Sequence, residues 1–322
     1  MPSAITRAIT DAKTVLLTTT ELDGDAVGSI VALALAIQQK WPQIEVRAVT
    51  HEVMLDRYST LLYQPDLFSV AREERVRDVD VAIVLDGDPD RLGDAEPHYN
   101  AARCRGIIDH HKTSANADCD VAYHDATAAS TTELILELCD EWGVQLTQEI
   151  AGAIYAGMVF DTSIFRYRLT SPRTLRGAAR LLETGIDHAV IVEEVLLQQK
   201  AEKVRLRGRM IDKMHLDAGG RLAWSALTAD EVNGTETGGL VDDLVFVEGV
   251  EVGVLLVARQ DGTVKLSLRS RGKVDVSELA RTCNPLGGGH ARAAGALMEC
   301  PLEEATLRTV DAAAAALTAT SA

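Results

Sequence analysis

Residues 107 to 114 read IIDHHKTS, which delivers one acid, Asp109, and two adjacent histidines, His110 and His111, straight after a run of isoleucines. A carboxylate with two imidazoles is a donor set for a divalent cation or a phosphate. Acids recur in three other places: Asp23 and Asp25 in ELDGDAVGS, Asp86 and Asp88 in VLDGDPDRLG, and Asp161 in MVFDTSIFRY. Singly, each has an ordinary explanation, since acids after strands cap helices or form turns and paired histidines occur in solvated turns. Brought together, so many like charges repel unless cations separate them. Hard oxygen donors mixed with one or two histidines suit Mn²⁺ or Mg²⁺ better than zinc, which favours sulfur and nitrogen.

The elements that must carry these residues alternate along the first half of the chain. TVLLTTT (14–20), IEVRAVT (44–50), VDVAIVLD (79–86) and CRGIIDHH (104–111) each read as an apolar strand ending in polar residues. A further apolar run, through Met158 into Asp161, makes a fourth acidic strand end. DGDAVGSIVALALAIQQK reads as a helix buried on most sides, and STTELILELCDEWG (130–143) as a helix opened by the capping-box pair Ser130 and Glu133. Near-continuous apolar strands separated by helices predict an α/β fold with a parallel sheet covered by helices on both faces. Such sheets bind ligands outside the carboxyl ends of their strands, which is where the acids fall. From about Pro172 to Leu216 the text is helical and charged. Beyond it the pattern turns strand-rich and predicts a smaller α+β domain.

Composition narrows the function. The chain has 322 residues, 47% hydrophobic and 25% charged, which is long enough for two domains with separate cores. No apolar run reaches the roughly 20 residues needed to span a bilayer, and no signal-peptide pattern opens the chain, so the expected location is cytoplasmic, away from membranes. Its five cysteines are scattered without CxxC spacing, which predicts neither a disulfide framework nor a zinc knuckle. A formal charge of −16 disfavours a surface that coats long duplex nucleic acid, because such binding relies on lysine and arginine.

DGDAVGS, VLDGD, DHH and FDTSIFRY, in that order, resemble the four motifs of the DHH phosphoesterase family, and RSRGKVDVSELA with LGGGHARAAGA resembles its DHHA1 C-terminal domain. The likeness spans nearly the whole chain. It implies a DHH catalytic domain over 1–188, a helical linker over 189–216 and a DHHA1 substrate domain over 217–322. Chain size is most similar to the branch that degrades very short oligoribonucleotides and removes the 3′-phosphate of 3′-phosphoadenosine 5′-phosphate. A homodimer is implied too.

The resemblance implies two Mn²⁺ sites, Mg²⁺ being an alternative ion. Asp25, Asp86, His110 and Asp161 match the ligands of one cation, Asp86 and Asp161 bridging to a second that Asp23 also binds. Asp88 lies close enough to exchange roles with Asp86. The family histidine of the first motif is Thr19 here, which predicts a weaker second site or another ligand such as Glu21, His51 or Asp88. His111 is placed to contact a phosphate oxygen or protonate a leaving group, with Asp109 orienting a histidine. Gly287, Gly288, Gly289 and His290, with Arg269, Arg271 and Arg166, are the expected contacts to nucleotide phosphate. Three rivals remain at this stage: a manganese pyrophosphatase, disfavoured by the GGGH loop; a processive single-strand exonuclease, disfavoured because no OB-type domain or basic channel is visible in the sequence; and a non-catalytic nucleotide sensor, disfavoured by retention of the other ligands.

Overall fold

The computed structural model describes residues 3–320 apart from 54–57, 59–63 and 65. The chain divides into two compact units, Met1–Gln198 and Gln199–Ala322, and the division falls inside the stretch expected to link the domains.

The first unit runs α1 (Ala4–Thr10), β1 (Thr14–Thr18), α2 (Gly24–Lys40), β2 (Glu45–Thr50), β3 (Phe68–Val70), β4 (Val79–Leu85), α3 (Glu96–Asn100), β5 (Ala102–Asp109), β6 (Val121–His124), α4 (Thr131–Trp142), α5 (Gln148–Asp161), α6 (Pro172–Leu182) and α7 (His188–Val192). Its strands form one sheet in the order β3-β2-β1-β4-β5-β6, parallel at every pair. Alternation along the strands explains their apolar text. Val15 and Leu17 of β1 with Val81, Ile83 and Leu85 of β4 join the core shared with α2, α4 and α5. The residues between them, Leu16, Ala82 and Val84, join a second core with Tyr99 of α3 on the opposite face. Both faces are therefore apolar and the runs are continuous. Strand order reverses between β1 and β4, and a crevice for ligands opens beyond the carboxyl ends at such a reversal.

The run expected as a fourth strand is a helix. Gln148–Asp161 is α5, and Asp161 is its last residue. Every residue from Ile150 to Val159 except Gly152 is buried, so no polar face marks the helical period and the text reads like a buried strand. β3 and β6, the two edge strands, are three and four residues long and lie outside the strands expected from the sequence.

α5 packs against α2. A Cβ at Gly157 would stand 2.5 Å from both Asp25 Oδ1 and Thr132 Oγ1, so glycine alone leaves room for the Asp25 carboxylate.

The second unit runs α8 (Ala201–Asp212), β7 (His215–Asp217), β8 (Leu222–Leu227), α9 (Ala229–Val232), α10 (Val241–Val245), β9 (Val252–Ala258), β10 (Val264–Ser270), α11 (Val276–Cys283), β11 (Gly288–His290), β12 (Ala293–Met298) and α12 (Leu302–Ala319). Its sheet has the order β11-β12-β10-β9-β8-β7 and is parallel only at the β8–β9 pair. One face packs on α11 and α12, the other on α8 and α10. Among the described residues, no helix is long and apolar enough to cross a membrane.

Gly157→Ala therefore destabilises the protein by about 1–3 kcal/mol, the usual range for an overpacked interior, as read by urea unfolding. An unchanged unfolding midpoint would mean that Asp25 and Thr132 have space to retreat.

Candidate active site

The N-terminus of α4 is the anchor of the site. Asp25, fully buried on the first turn of α2, accepts Thr131 N at 2.6 Å on Oδ2, and Thr132 N and Thr132 Oγ1 at 3.0 and 2.8 Å on Oδ1. Free amides at a helix start, with the positive end of its dipole, hold a carboxylate in this way. Thr131 Oγ1 donates to Asp86 Oδ1 at 3.0 Å. Asp86 follows β4 in the left-handed region, φ 55°, an uncommon backbone state for a residue other than glycine.

Two histidines arrive from β5. The Nδ1 of His110 donates to the Ala128 carbonyl at 3.3 Å. Its Nε2 is left 2.9 Å from Asp161 Oδ2 and 3.6 Å from Asp86 Oδ1, buried but aligned for a hydrogen bond with neither. The ligand atoms of Asp25, Asp86, His110 and Asp161 all lie within 4.8 Å of one another. Those of Asp86, Asp109, His110 and His111 form a second group within the same limit. Asp109 is fully buried; its Oδ1 accepts His110 N at 2.7 Å, His111 N at 3.2 Å and His111 Nδ1 at 2.8 Å. Asp23 caps α2, its Oδ1 accepting Asp25 N and Ala26 N, each at 3.0 Å, and it stands outside both groups.

Asp161 precedes a strained turn. Ser163, Ile164 and Phe165 have φ of 47°, 59° and 61°, three successive left-handed residues without a glycine. Each costs roughly 1–2 kcal/mol. Thr162 holds the turn by donating to Met158 O at 2.5 Å and accepting Phe165 N at 2.8 Å on the same hydroxyl. Arg166 folds back on this turn, donating to Ser163 O at 3.1 Å and Ser163 Oγ at 2.7 Å.

The alternatives to the family histidine lie elsewhere. Thr19 is fully buried and donates to the Glu21 carbonyl at 3.2 Å. Glu21 pairs with Arg91 at 3.3 Å, and Asp88 caps the turn at Pro89–Arg91 by accepting Asp90 N at 3.1 Å. His51 Nε2 stands 3.5 Å from Glu52. Glu21, His51 and Asp88 enter neither donor group among the described residues.

Electrostatics sets the chemistry. Burial, then the Asp161 charge, raises Asp23 to about 7 and Asp25 to about 6. Burial and repulsion from Asp25, Asp23, Asp161 and Asp109 push Asp86 well above the usual carboxylate range. Burial would lower His110, but Asp161 wins and raises it to about 9. Burial opposes the ionised form of Asp109, yet the His111 hydrogen bond holds it below the ordinary value, and Asp109 raises His111 against burial in turn. Crowded carboxylates that retain protons, around an imidazole nitrogen without an aligned partner, fit a divalent cation.

On the second unit the expected nucleotide contacts have partners already. Arg269 Nε donates to Asp242 Oδ1 at 2.6 Å, and Arg271 donates to the carbonyls of Val245 and Phe246 at 3.1 and 3.4 Å. Gly287 is required by close approach, since a Cβ would lie 2.6 Å from the Ala280 carbonyl oxygen, and Gly289 by its φ of 139°. Gly288 has open space where a Cβ would point, and His290 beside it is exposed. Arg292, not among the expected contacts, is exposed, and its guanidinium lies over Gly272, 2.4 Å from where a Cβ there would stand. Sequence reasoning missed Thr131 and Thr132, hidden inside a capping-box sequence of which the structure forms only one half. Ser130 accepts Glu133 N at 3.1 Å, but Glu133 reaches Ala129 N rather than Ser130 N.

These titrations carry a pH signature. A cation entering the cluster displaces protons from Asp25, Asp23 and His110, so affinity rises between about pH 6 and 9, by about tenfold per unit for each proton displaced. Calorimetric titration with Mn²⁺ in buffers of different ionisation enthalpy measures the protons released. A pH-independent affinity with no proton release would contradict the protonation pattern.

Comparison with known proteins agrees with the geometry. The DHH family N-terminal domain matches residues 13–158, and the DHHA1 domain matches residues 219–317. The bifunctional oligoribonuclease and PAP phosphatase NrnA of Thermus thermophilus is 34% identical over 206 residues, and the match spans 64% of this chain and 62% of that protein. The Bacillus subtilis protein of the same name is 29% identical over 283 residues, 85% of each. The crystal structure of an exopolyphosphatase-related protein from Bacteroides fragilis shares the fold, with a TM-score of 0.87 over 96% of this chain and 94% of its own at 23% identity. With a DHH domain around the acidic cluster and a DHHA1 domain after it, the chain belongs to the DHH family.

Proposed function

We propose that the protein is a metal-dependent phosphoesterase that hydrolyses short oligoribonucleotides to 5′-mononucleotides and 3′-phosphoadenosine 5′-phosphate to AMP. The observation that carries this reading is the pair of four-donor groups sharing Asp86 and His110 beyond the carboxyl ends of β4 and β5. The names of the Thermus and Bacillus relatives support the substrate class. The DHHA1 match over 219–317 favours a nucleotide over inorganic pyrophosphate.

In this proposal Asp25, Asp86, His110 and Asp161 would hold one Mn²⁺, and Asp23 with Asp86 and Asp161 would offer oxygens to a second, more weakly held one. Bound divalent cations supply Lewis acidity, acidifying water and offsetting charge on the phosphoryl oxygens. The chain's own groups do the rest. The α4 N-terminus fixes Asp25, the Ala128 carbonyl fixes the His110 ring, and Asp109 fixes His111 through Nδ1. That bond directs the other imidazole nitrogen of His111 to a phosphate oxygen or to the departing oxygen as proton donor. Gly288, His290 and Arg292 grip the nucleotide, and Arg166 is a further phosphate contact. Arg269 and Arg271 take part only by exchanging Asp242 and the α10 carbonyls for phosphate. The family likeness extends the proposal to a cytoplasmic homodimer, which sedimentation equilibrium tests; a monomer at every concentration removes the dimer.

A substrate panel with Mn²⁺, resolved by chromatography, tests the central reading. Strands of two to five nucleotides turn over fastest, because the negative field of the chain repels longer ones. Equal rates on a strand several times longer at moderate salt would refute the length preference, and release of phosphate from pyrophosphate alone would refute the substrate class. Asp86→Ala abolishes turnover, which a sensor without catalysis would never have shown.

A second set of variants separates grip from scaffold. Arg292→Ala raises KM for a dinucleotide with kcat nearly unchanged, the pattern of uniform binding lost. Arg269→Ala lowers stability as well, since it leaves Asp242 without its guanidinium. An unchanged KM in Arg292→Ala takes that residue out of the binding site.

A further inference from the structure

One layer outside the cluster lies an ion pair, buried at Glu133 and half-exposed at Arg173, that the proposed chemistry does not use. Glu133, on the first turn of α4, is 2% exposed. Its Oε2 accepts Ala129 N at 2.7 Å and Thr174 Oγ1 at 3.3 Å, and its Oε1 stands 3.5 Å from Arg173 Nε. Arg173, from the first turn of α6, donates to Asp125 Oδ2 at 2.7 Å and lies 2.8 Å from Glu137 Oε1. Asp125 in turn accepts Thr127 N and Thr127 Oγ1 on its other oxygen.

An ion pair with one partner half-exposed is weak evidence for stability, because solvent screens the attraction and burying Glu133 costs desolvation. Its contacts point to another use. Glu133 and Arg173 grip the segment 125–133 at Asp125, at Ala129 and at Glu133 itself. That same segment faces the cluster with its other groups. The Ala128 carbonyl receives His110 Nδ1, Thr131 N and Thr132 N hold Asp25, and Thr131 Oγ1 holds Asp86. With Nδ1 turned to a carbonyl, His110 presents Nε2 to the acids, the orientation that outer partners commonly impose on a ligating imidazole.

We infer that Glu133 and Arg173 are positioning residues for the active site: their ion pair clamps the 125–133 segment and so fixes the directions of His110, Asp25 and Asp86. The inference rests on the phosphoesterase reading only for its kinetic readout.

The test uses Glu133→Gln, which keeps the shape but removes the charge, and Arg173→Lys, which keeps the charge but loses the planar fork. Mn²⁺ affinity is measured by calorimetry on metal-stripped full-length protein without substrate, alongside thermal melting. Both variants bind Mn²⁺ about tenfold or more weakly than wild type. At saturating Mn²⁺, kcat for a dinucleotide falls and KM holds, since neither residue touches substrate. Folded variants with lower melting points but wild-type Mn²⁺ affinity overturn the inference and leave the pair a scaffold element. If one variant fails to fold, the affinity of the other decides. Failure of wild type to turn over any nucleotide of the panel refutes the phosphoesterase reading, while the Mn²⁺ titrations still judge the clamp.

Discussion

Negative charge packed where water cannot screen it governs this molecule. Asp86 stands among Asp23, Asp25, Asp109 and Asp161, and each of the four raises the cost of ionising it. At an effective dielectric of about 20, two like charges 4 Å apart repel by about 4 kcal/mol. No single hydrogen bond answers that, so relief is spread through the surroundings. The α4 start gives three donors to Asp25, the backbone after β5 gives two to Asp109, and the α2 start gives two to Asp23. The cluster remains short of positive charge even so, and protons fill the deficit where a cation would fit.

Much of the framework that creates this crowding is legible in the sequence. β1, β2, β4 and β5 are readable because burial on two faces writes them as apolar runs, and their ends carry the acids that a parallel sheet gathers. The physical reason that α5 is misread is equally plain. A helix buried on nearly every side has no polar stripe, and only its 14 residues separate it from a strand. Asp88 differs from Asp86 through its neighbour: an aspartate before Pro89 is set to cap the turn that follows, and it does so. The edges β3 and β6 are too short for any period to show.

Long-range partners are the part that spacing cannot report. Alternation along β10 correctly marks Arg269 as half-exposed, but its pairing with Asp242 comes from an element 27 residues away. Thr131 and Thr132 look like ordinary residues of a helix start. Their amides and hydroxyls matter because Asp25 arrives there from 106 and 107 positions earlier. Glu133 likewise reads as half of a capping box, yet its carboxylate reaches Ala129, Thr174 and Arg173. Local rules identify the helix end, and tertiary folding gives it a second task.

The two donor groups around Asp86 and His110 are not equivalent, and the difference follows from hydrogen bonding. In one, Asp109 and His111 already satisfy each other through a 2.8 Å bond, so a cation there has to compete with a proton held between them. In the other, Asp161 and His110 face each other without alignment, and Asp25 is set by backbone amides that favour its charged form. That second set is the better prepared for metal. Asp23 can add only part of its carboxylate, because its Oδ1 caps α2, and Thr19 adds an oxygen already donating to the Glu21 carbonyl. On the proposed two-cation reading, the asymmetry is therefore inherent in the strand-to-helix turn after β1. On that reading, threonine in place of the expected histidine removes a ligand from one side, while the four-donor set of Asp25, Asp86, His110 and Asp161 stays together.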